Sequence, residues 1–156
     1  MAPTETMTGR APDAPERELW LAARAVAARA YARYSGLHVG AALRAQDGAV
    51  YLGVNVENAS YPAGMCAERA ALAAAVTAGE RRFAALAVAT AQNDPILPCG
   101  ACLQALAEFG ELEVVAVLPI GGTPAETAAP AQPGEPRVVA LRDLLRAPFQ
   151  SPRDLS

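Results

Sequence analysis

Cys66-Ala67-Glu68-Arg69-Ala70-Ala71-Leu72-Ala73-Ala74-Ala75-Val76-Thr77-Ala78-Gly79 reads as one helix over 66–78, starting on a cysteine and stopping on a glycine. Alanine is the strongest helix former, and glycine just past the last periodic residue is a common C-terminal stop. A second stretch repeats the arrangement. Pro98-Cys99-Gly100-Ala101-Cys102 leads into an apolar helical run over 100–109, closed by Gly110. Both cysteine groups therefore fall at helix starts, where unpaired N–H groups and a partial positive charge favour thiolate.

Outward from these helices, 16–34 carries Leu19, Val26, Ala30 and Tyr34 at helical spacing behind Pro15, with Ser35-Gly36 as the stop. The β-prone runs 38–44 and 50–56 flank Asp47-Gly48, a hairpin signal. Residues 83–91 are apolar enough for a buried strand, 113–118 and 137–140 read as further strands, and 141–145 as a short helix. Residues 58–64 are turn-rich, and 121–135, rich in Gly, Pro, Ala and Thr, read as a loop of low order. The resulting order α-β-β-α-β-α-β-β-α predicts an α/β fold: a mixed five-stranded sheet in a three-layer α-β-α sandwich.

The 156 residues suit one domain, expected over 16–149, with 1–15 a disordered leader and 150–156 a tail. Hydrophobic residues reach 53%, yet no run of 18 apolar residues occurs, so no membrane span is expected. The first 15 residues lack the basic start and apolar stretch of a signal peptide. Net charge is −3, and the basic residues are all arginines scattered along the chain. That argues against a nucleic-acid polymer as partner, because such binding rests on clustered phosphate contacts. Three cysteines, an odd number, suit metal-bound thiolates in a reducing compartment better than a disulfide framework, and a cytoplasmic location is expected.

Cys66, Cys99 and Cys102 are the only cysteines, and the single histidine, His38, lies outside both motifs. A structural zinc site is closed by four protein ligands, whereas a catalytic one keeps a position open. Glu68, two residues past Cys66, can approach that open position without binding the metal. An open zinc position beside a proton-carrying glutamate is the equipment of a zinc hydrolase or deaminase. Three thiolates leave such a site net negative. Arg69 is placed to donate hydrogen bonds to the sulfurs and offset this, although a solvated helix arginine is the other reading.

Four motifs, 31–40 (YARYSGLHVG), 55–61 (NVENASY), Cys66-Ala67-Glu68-Arg69 and Pro98-Cys99-Gly100-Ala101-Cys102, together resemble the small homotetrameric cytidine deaminases, in order and over about 16–149. The resemblance implies that fold, one zinc ion per chain on Cys66, Cys99 and Cys102, and Glu68 as proton shuttle. It implies hydrolysis of cytidine or deoxycytidine to uridine or deoxyuridine with loss of ammonia, as in pyrimidine salvage. It further implies that Asn55 and Glu57 hold the ribose 3′-hydroxyl and that the Ala67 backbone meets the pyrimidine edge. Phe149 is expected to reach the site of a neighbouring subunit in a homotetramer.

Strand alternation puts Asn55 and Glu57 on one side, and an amide with a carboxylate offers a hydroxyl both donor and acceptor. A polar strand end entering a turn is the plainer reading of the same residues. Tyr61 either lines an interface near the site or closes its loop, and His38 is expected to have no site role.

Three positions depart from the family pattern: Arg33 in place of proline, Leu37 in place of the phenylalanine that packs on the base, and Leu103 in place of an arginine. None is a zinc ligand or Glu68, so the reaction type stands while the substrate is left open. A deaminase of a modified aminopyrimidine nucleoside, such as a blasticidin-type antibiotic, is one rival. A non-catalytic zinc-stapled interaction module is another; it requires a fourth protein ligand and no Glu68.

Overall fold

The computed structural model describes residues 9–118 and 134–150. The expectation of a low-order loop over 121–135 falls almost wholly outside them, as do most of the 1–15 leader and the 150–156 tail. The described chain runs α1 (Ala14–Ala27), β1 (Val39–Ala45), β2 (Val50–Val54), a 3-10 turn (Tyr61–Ala63), α2 (Ala67–Thr77), β3 (Phe83–Thr90), α3 (Gly100–Ala107), β4 (Glu113–Ala116), β5 (Arg137–Ala140) and α4 (Leu141–Leu144). The five strands form one sheet in the order β2-β1-β3-β4-β5. Only β3 and β4 are parallel, with α3 as their crossover; the other pairs are antiparallel. The sheet is mixed, as expected.

Alternation along the strands sorts the core into two layers. On one face Leu19, Trp20 and Ala23 of α1 pack on Ala42, Ala85 and Ala87. On the other, Ala71 and Leu72 of α2 and Leu103 and Leu106 of α3 pack on Leu43, Leu86 and Val88. This is the three-layer α-β-α sandwich.

Two glycines set how closely the layers approach. A Cβ on Gly40 would lie 1.9 Å from the Ala23 carbonyl oxygen of α1, and one on Gly53 would lie 2.3 Å from both Ala67 O and Ala71 N of α2. Neither position tolerates a side chain without moving a helix.

The first helix differs from the sequence expectation at both ends. It starts at Ala14, so Pro15 lies inside its first turn, and Asp13 and Glu16 form a reciprocal capping box. It ends at Ala27 rather than running to 34. The reason is distant in sequence: the Tyr31 N–H donates to Asn55 O at 3.0 Å, and the Glu57 N–H donates to Tyr31 O at 2.9 Å. A residue whose backbone groups are taken this way cannot continue the helix. Residues 10–13, which the sequence reading places in the leader, are also tied down. Arg10 exchanges backbone hydrogen bonds with Val138 at the β5 edge, and its guanidinium pairs with buried Glu16.

Candidate metal centre and active site

Cys66 and Cys99 are the N-caps of α2 and α3, both with extended backbone, and Cys102 follows in the first turn of α3. Because both helices pack on one sheet face, their starts meet. The Cys66 and Cys99 sulfurs are 4.0 Å apart, those of Cys99 and Cys102 are 3.5 Å apart, and all three lie within 4.8 Å of one another. Four-coordinate zinc holds each sulfur at about 2.3 Å, which puts tetrahedral ligands about 3.8 Å apart. The observed separations bracket that value, so the residues fit the ion.

The site is graded from buried to open. Cys102 is fully buried, Cys66 is half-buried and Cys99 is exposed. Burial pushes the Cys102 thiol well above its ordinary value, and the Glu68 charge and neighbouring sulfurs add to this. Burial also acts upward on Cys99, but the N–H groups of Cys102 and Ala101 and the adjacent sulfurs outweigh it and hold that thiol low. A coordinated cation removes the penalty on Cys102, since a metal-bound thiol is deprotonated outright.

Glu68 is 4% exposed and lies against Cys102, and burial raises its carboxyl above the usual range. Burial shifts the balance of this carboxyl toward its protonated form, which suits a group that passes protons. An Arg69 Nη donates to the Cys66 sulfur at 3.8 Å, and its charge also acts on Cys102. Among the described residues these three cysteines form the only cluster of three or more metal-ligating side chains; His38 stands apart from it.

An open cavity of about 470 Å³ adjoins Cys66, walled by Tyr34, Ser35, Asn55, Glu57, Cys66 and Arg69 among others, with Tyr61 at its exposed rim. Such a volume suits a small organic ligand. Asn55 and Glu57 do lie together here, and both are engaged with 34–39. Asn55 Oδ1 accepts from the Val39 N–H and its Nδ2 donates to Leu37 O, each at 2.9 Å. Glu57 Oε2 accepts from the N–H groups of Tyr34 and Ser35 at 2.7 and 3.1 Å, and Oε1 accepts from the Ser35 hydroxyl. One amide hydrogen and one acceptor position on Asn55 and one acceptor position on Glu57 remain, which suffices for a single hydroxyl.

Other expected substrate residues are not in that wall. Ala67 is buried under β2, where its carbonyl meets Gly53. Leu37 is 43% exposed outside the cavity wall, and Phe149 is 75% exposed, its backbone N–H and C=O both bonded to the Gln104 side chain. Sequence reasoning missed Tyr34 and Ser35, because it placed Tyr34 inside a helix and read Ser35 only as a stop. The polar turn Tyr34-Ser35-Gly36 was the available signal.

Comparison with known proteins agrees with this geometry. A cytidine deaminase of Sporosarcina psychrophila is 52% identical over 81 residues, which span 52% of this chain and 60% of that protein. The crystal structure of a cytidine deaminase from Burkholderia pseudomallei superposes with a TM-score of 0.70 at 44% identity, covering 85% of this chain and 98% of that one. One from Mycobacterium tuberculosis gives a TM-score of 0.68 at 34% identity, covering 89% of this chain and all of that one, 100%. Residues 15–118, which hold all three cysteines, match the cytidine and deoxycytidylate deaminase zinc-binding region, and the chain belongs to that family.

Proposed function

We propose that this chain is a zinc-dependent hydrolytic deaminase of cytidine and deoxycytidine, converting each with one water to uridine or deoxyuridine and ammonia. The observation that carries the proposal is the convergence of three sulfurs beside one buried glutamate, Glu68. Cys66, Cys99 and Cys102 would hold one zinc ion, whose Lewis acidity at the remaining position lowers the pKa of water. Glu68 would carry one proton of the water to the ring nitrogen beside the amino-bearing carbon as the oxygen bonds to that carbon, and the remaining O–H proton to the amine as the C–N bond breaks and ammonia leaves. Arg69 offsets the negative charge of three thiolates around a divalent ion. Asn55 and Glu57 grip a sugar hydroxyl with their remaining donor and acceptor, and the Ala67 backbone meets the pyrimidine edge.

The same reading extends to assembly. Tyr31, Tyr34, Leu37, Val56, Tyr61 and Met65 are large apolar side chains left exposed around the cavity. Such a patch suits burial against another copy, in a homotetramer where Phe149 enters a neighbour's site. The domain takes in Arg10 and the Asp13 cap as well as the expected 16–149, and its place is pyrimidine salvage in the cytoplasm. No helix among the described residues is long and apolar enough to cross a membrane.

Ammonia release from cytidine, deoxycytidine, cytosine and blasticidin S tests the proposal. Turnover of the two nucleosides well above the others is the expected result, and preference for blasticidin S would replace the substrate. No release from any would favour the interaction module, against which stands the absence of a fourth ligand in the sulfur cluster among the described residues.

A further inference from the structure

The Ser35 hydroxyl sits in a directed chain of hydrogen bonds. It accepts from the Leu37 N–H at 3.0 Å and donates to Glu57 Oε1. Because a backbone N–H only donates, the Ser35 proton is committed to Glu57. The other carboxylate oxygen, Oε2, is occupied by the N–H groups of Tyr34 and Ser35. The carboxylate is thereby fixed in rotation, with one acceptor position of Oε1 left over. The Ser35 hydroxyl is also the largest contribution holding the Glu57 carboxyl below its ordinary value.

We propose that Ser35 is a positioning residue for sugar recognition: its hydroxyl orients the Glu57 carboxylate so that a single acceptor faces a substrate hydroxyl. The proposal rests on the sugar role of Glu57 given above. It separates two functions of the 34–37 turn. The backbone N–H groups anchor Glu57 in place, and the hydroxyl decides which oxygen, in which rotation, meets the ligand.

The test compares cytidine with 2′,3′-dideoxycytidine, which keeps the sugar ring but lacks both secondary hydroxyls. Ser35→Ala should raise KM for cytidine roughly five- to twentyfold, below the full worth of one bond to a charged group because the Glu57 bond to the hydroxyl is misoriented rather than removed. Its kcat on cytidine should stay within about twofold, and kcat/KM for dideoxycytidine should move little, because uniform binding is what is lost. Ser35→Thr should restore cytidine binding. Ser35→Cys, close in shape but a weak donor, should reproduce the alanine pattern and serves if the alanine variant does not fold. On a Glu57→Gln background, Ser35→Ala should add nothing further. Equal losses on both substrates, no loss on cytidine, or a full loss persisting in the Glu57→Gln background would overturn the proposal. Should Glu57→Gln itself leave the cytidine to dideoxycytidine ratio unchanged, the sugar role of Glu57 fails first and this proposal falls with it.

Discussion

The sulfurs of Cys66 and Cys99 stand 4.0 Å apart although the two residues are 33 positions apart in the chain. Each caps a separate helix, and the two helices share one face of the sheet. The metal centre is therefore a consequence of packing as much as of ligand chemistry. Anything that shifts α2 against α3 changes the spacing on which four-coordinate binding depends.

The folded protein should carry about one zinc ion per chain, because three thiolates at this spacing bind it closely. Cys102→Ser should reduce occupancy to below about a tenth, since a buried hydroxyl does not replace a thiolate as ligand. Elemental analysis of the purified protein and the variant checks both. Full zinc occupancy in the variant would show that the ion is held elsewhere.

Glu68→Gln should keep zinc and fold while lowering kcat by about 10²–10⁴-fold, the usual worth of a positioned acid–base group. The amide preserves shape but moves no proton. Its melting temperature should match or exceed wild type, because a neutral amide is cheaper to bury than a carboxylate. Near-normal turnover would remove Glu68 from the proton path.

Leu37 is held through its backbone by Ser35 and Asn55 while its side chain stays largely exposed. Exchange for an aromatic ring therefore disturbs no core contact. Leu37→Phe should raise kcat/KM for cytidine about two- to tenfold through contact between its ring and the pyrimidine. Lower activity on cytidine, with improved activity on no analogue, would mean that another residue packs on the base.

Gly53→Ala should destabilise the fold by roughly 1–3 kcal/mol, since its Cβ would strike the α2 backbone 2.3 Å away at Ala67 and Ala71. The displaced helix start carries Cys66 and Glu68, so zinc retention should weaken as well. Denaturant melts and metal analysis of the variant check the two effects. A stable, fully loaded variant would show that β2 and α2 separate without cost.

Glu16→Gln should cost about 1 kcal/mol near neutral pH, because it removes the carboxylate that pairs with Arg10 while the amide oxygen can still cap the Asp13 N–H. The Arg10 guanidinium holds the folded-state carboxyl below its ordinary value. A depressed carboxyl pKa contributes stability above the unfolded-state value, and that stability is lost as pH falls through the folded-state value. The gap between wild type and variant should therefore be full near neutrality and close in the acid range below the ordinary carboxyl pKa. Melting curves across that range give the comparison; a gap independent of pH would exclude the ion pair as its source.

Much of the fold was legible in the sequence because it is set locally. The starts and stops of α2 and α3 follow from alanine-rich runs bounded by cysteine and glycine, and Gly79 and Gly110 both take positive φ at those stops. The hairpin at Asp47-Gly48 and the strands likewise follow from short-range turn chemistry and apolar runs. The premature end of α1 was not legible. Helical spacing continues through Tyr34, but Tyr31 is bound by Asn55 and Glu57, and no local pattern announces a backbone partner so far along the chain.

By itself the sequence determined which atoms are available for chemistry: three soft ligands and an adjacent glutamate. Side-chain identity fixes softness, charge and proton affinity wherever the residue ends up. Only the tertiary structure decided how those atoms are used. It brought the three sulfurs within 4.8 Å of one another, buried Glu68, and spent most of the hydrogen-bonding capacity of Asn55 and Glu57 on the 34–39 segment. Distances, burial and the remaining donors and acceptors depend on partners far apart in sequence, and those are settled only when the layers pack.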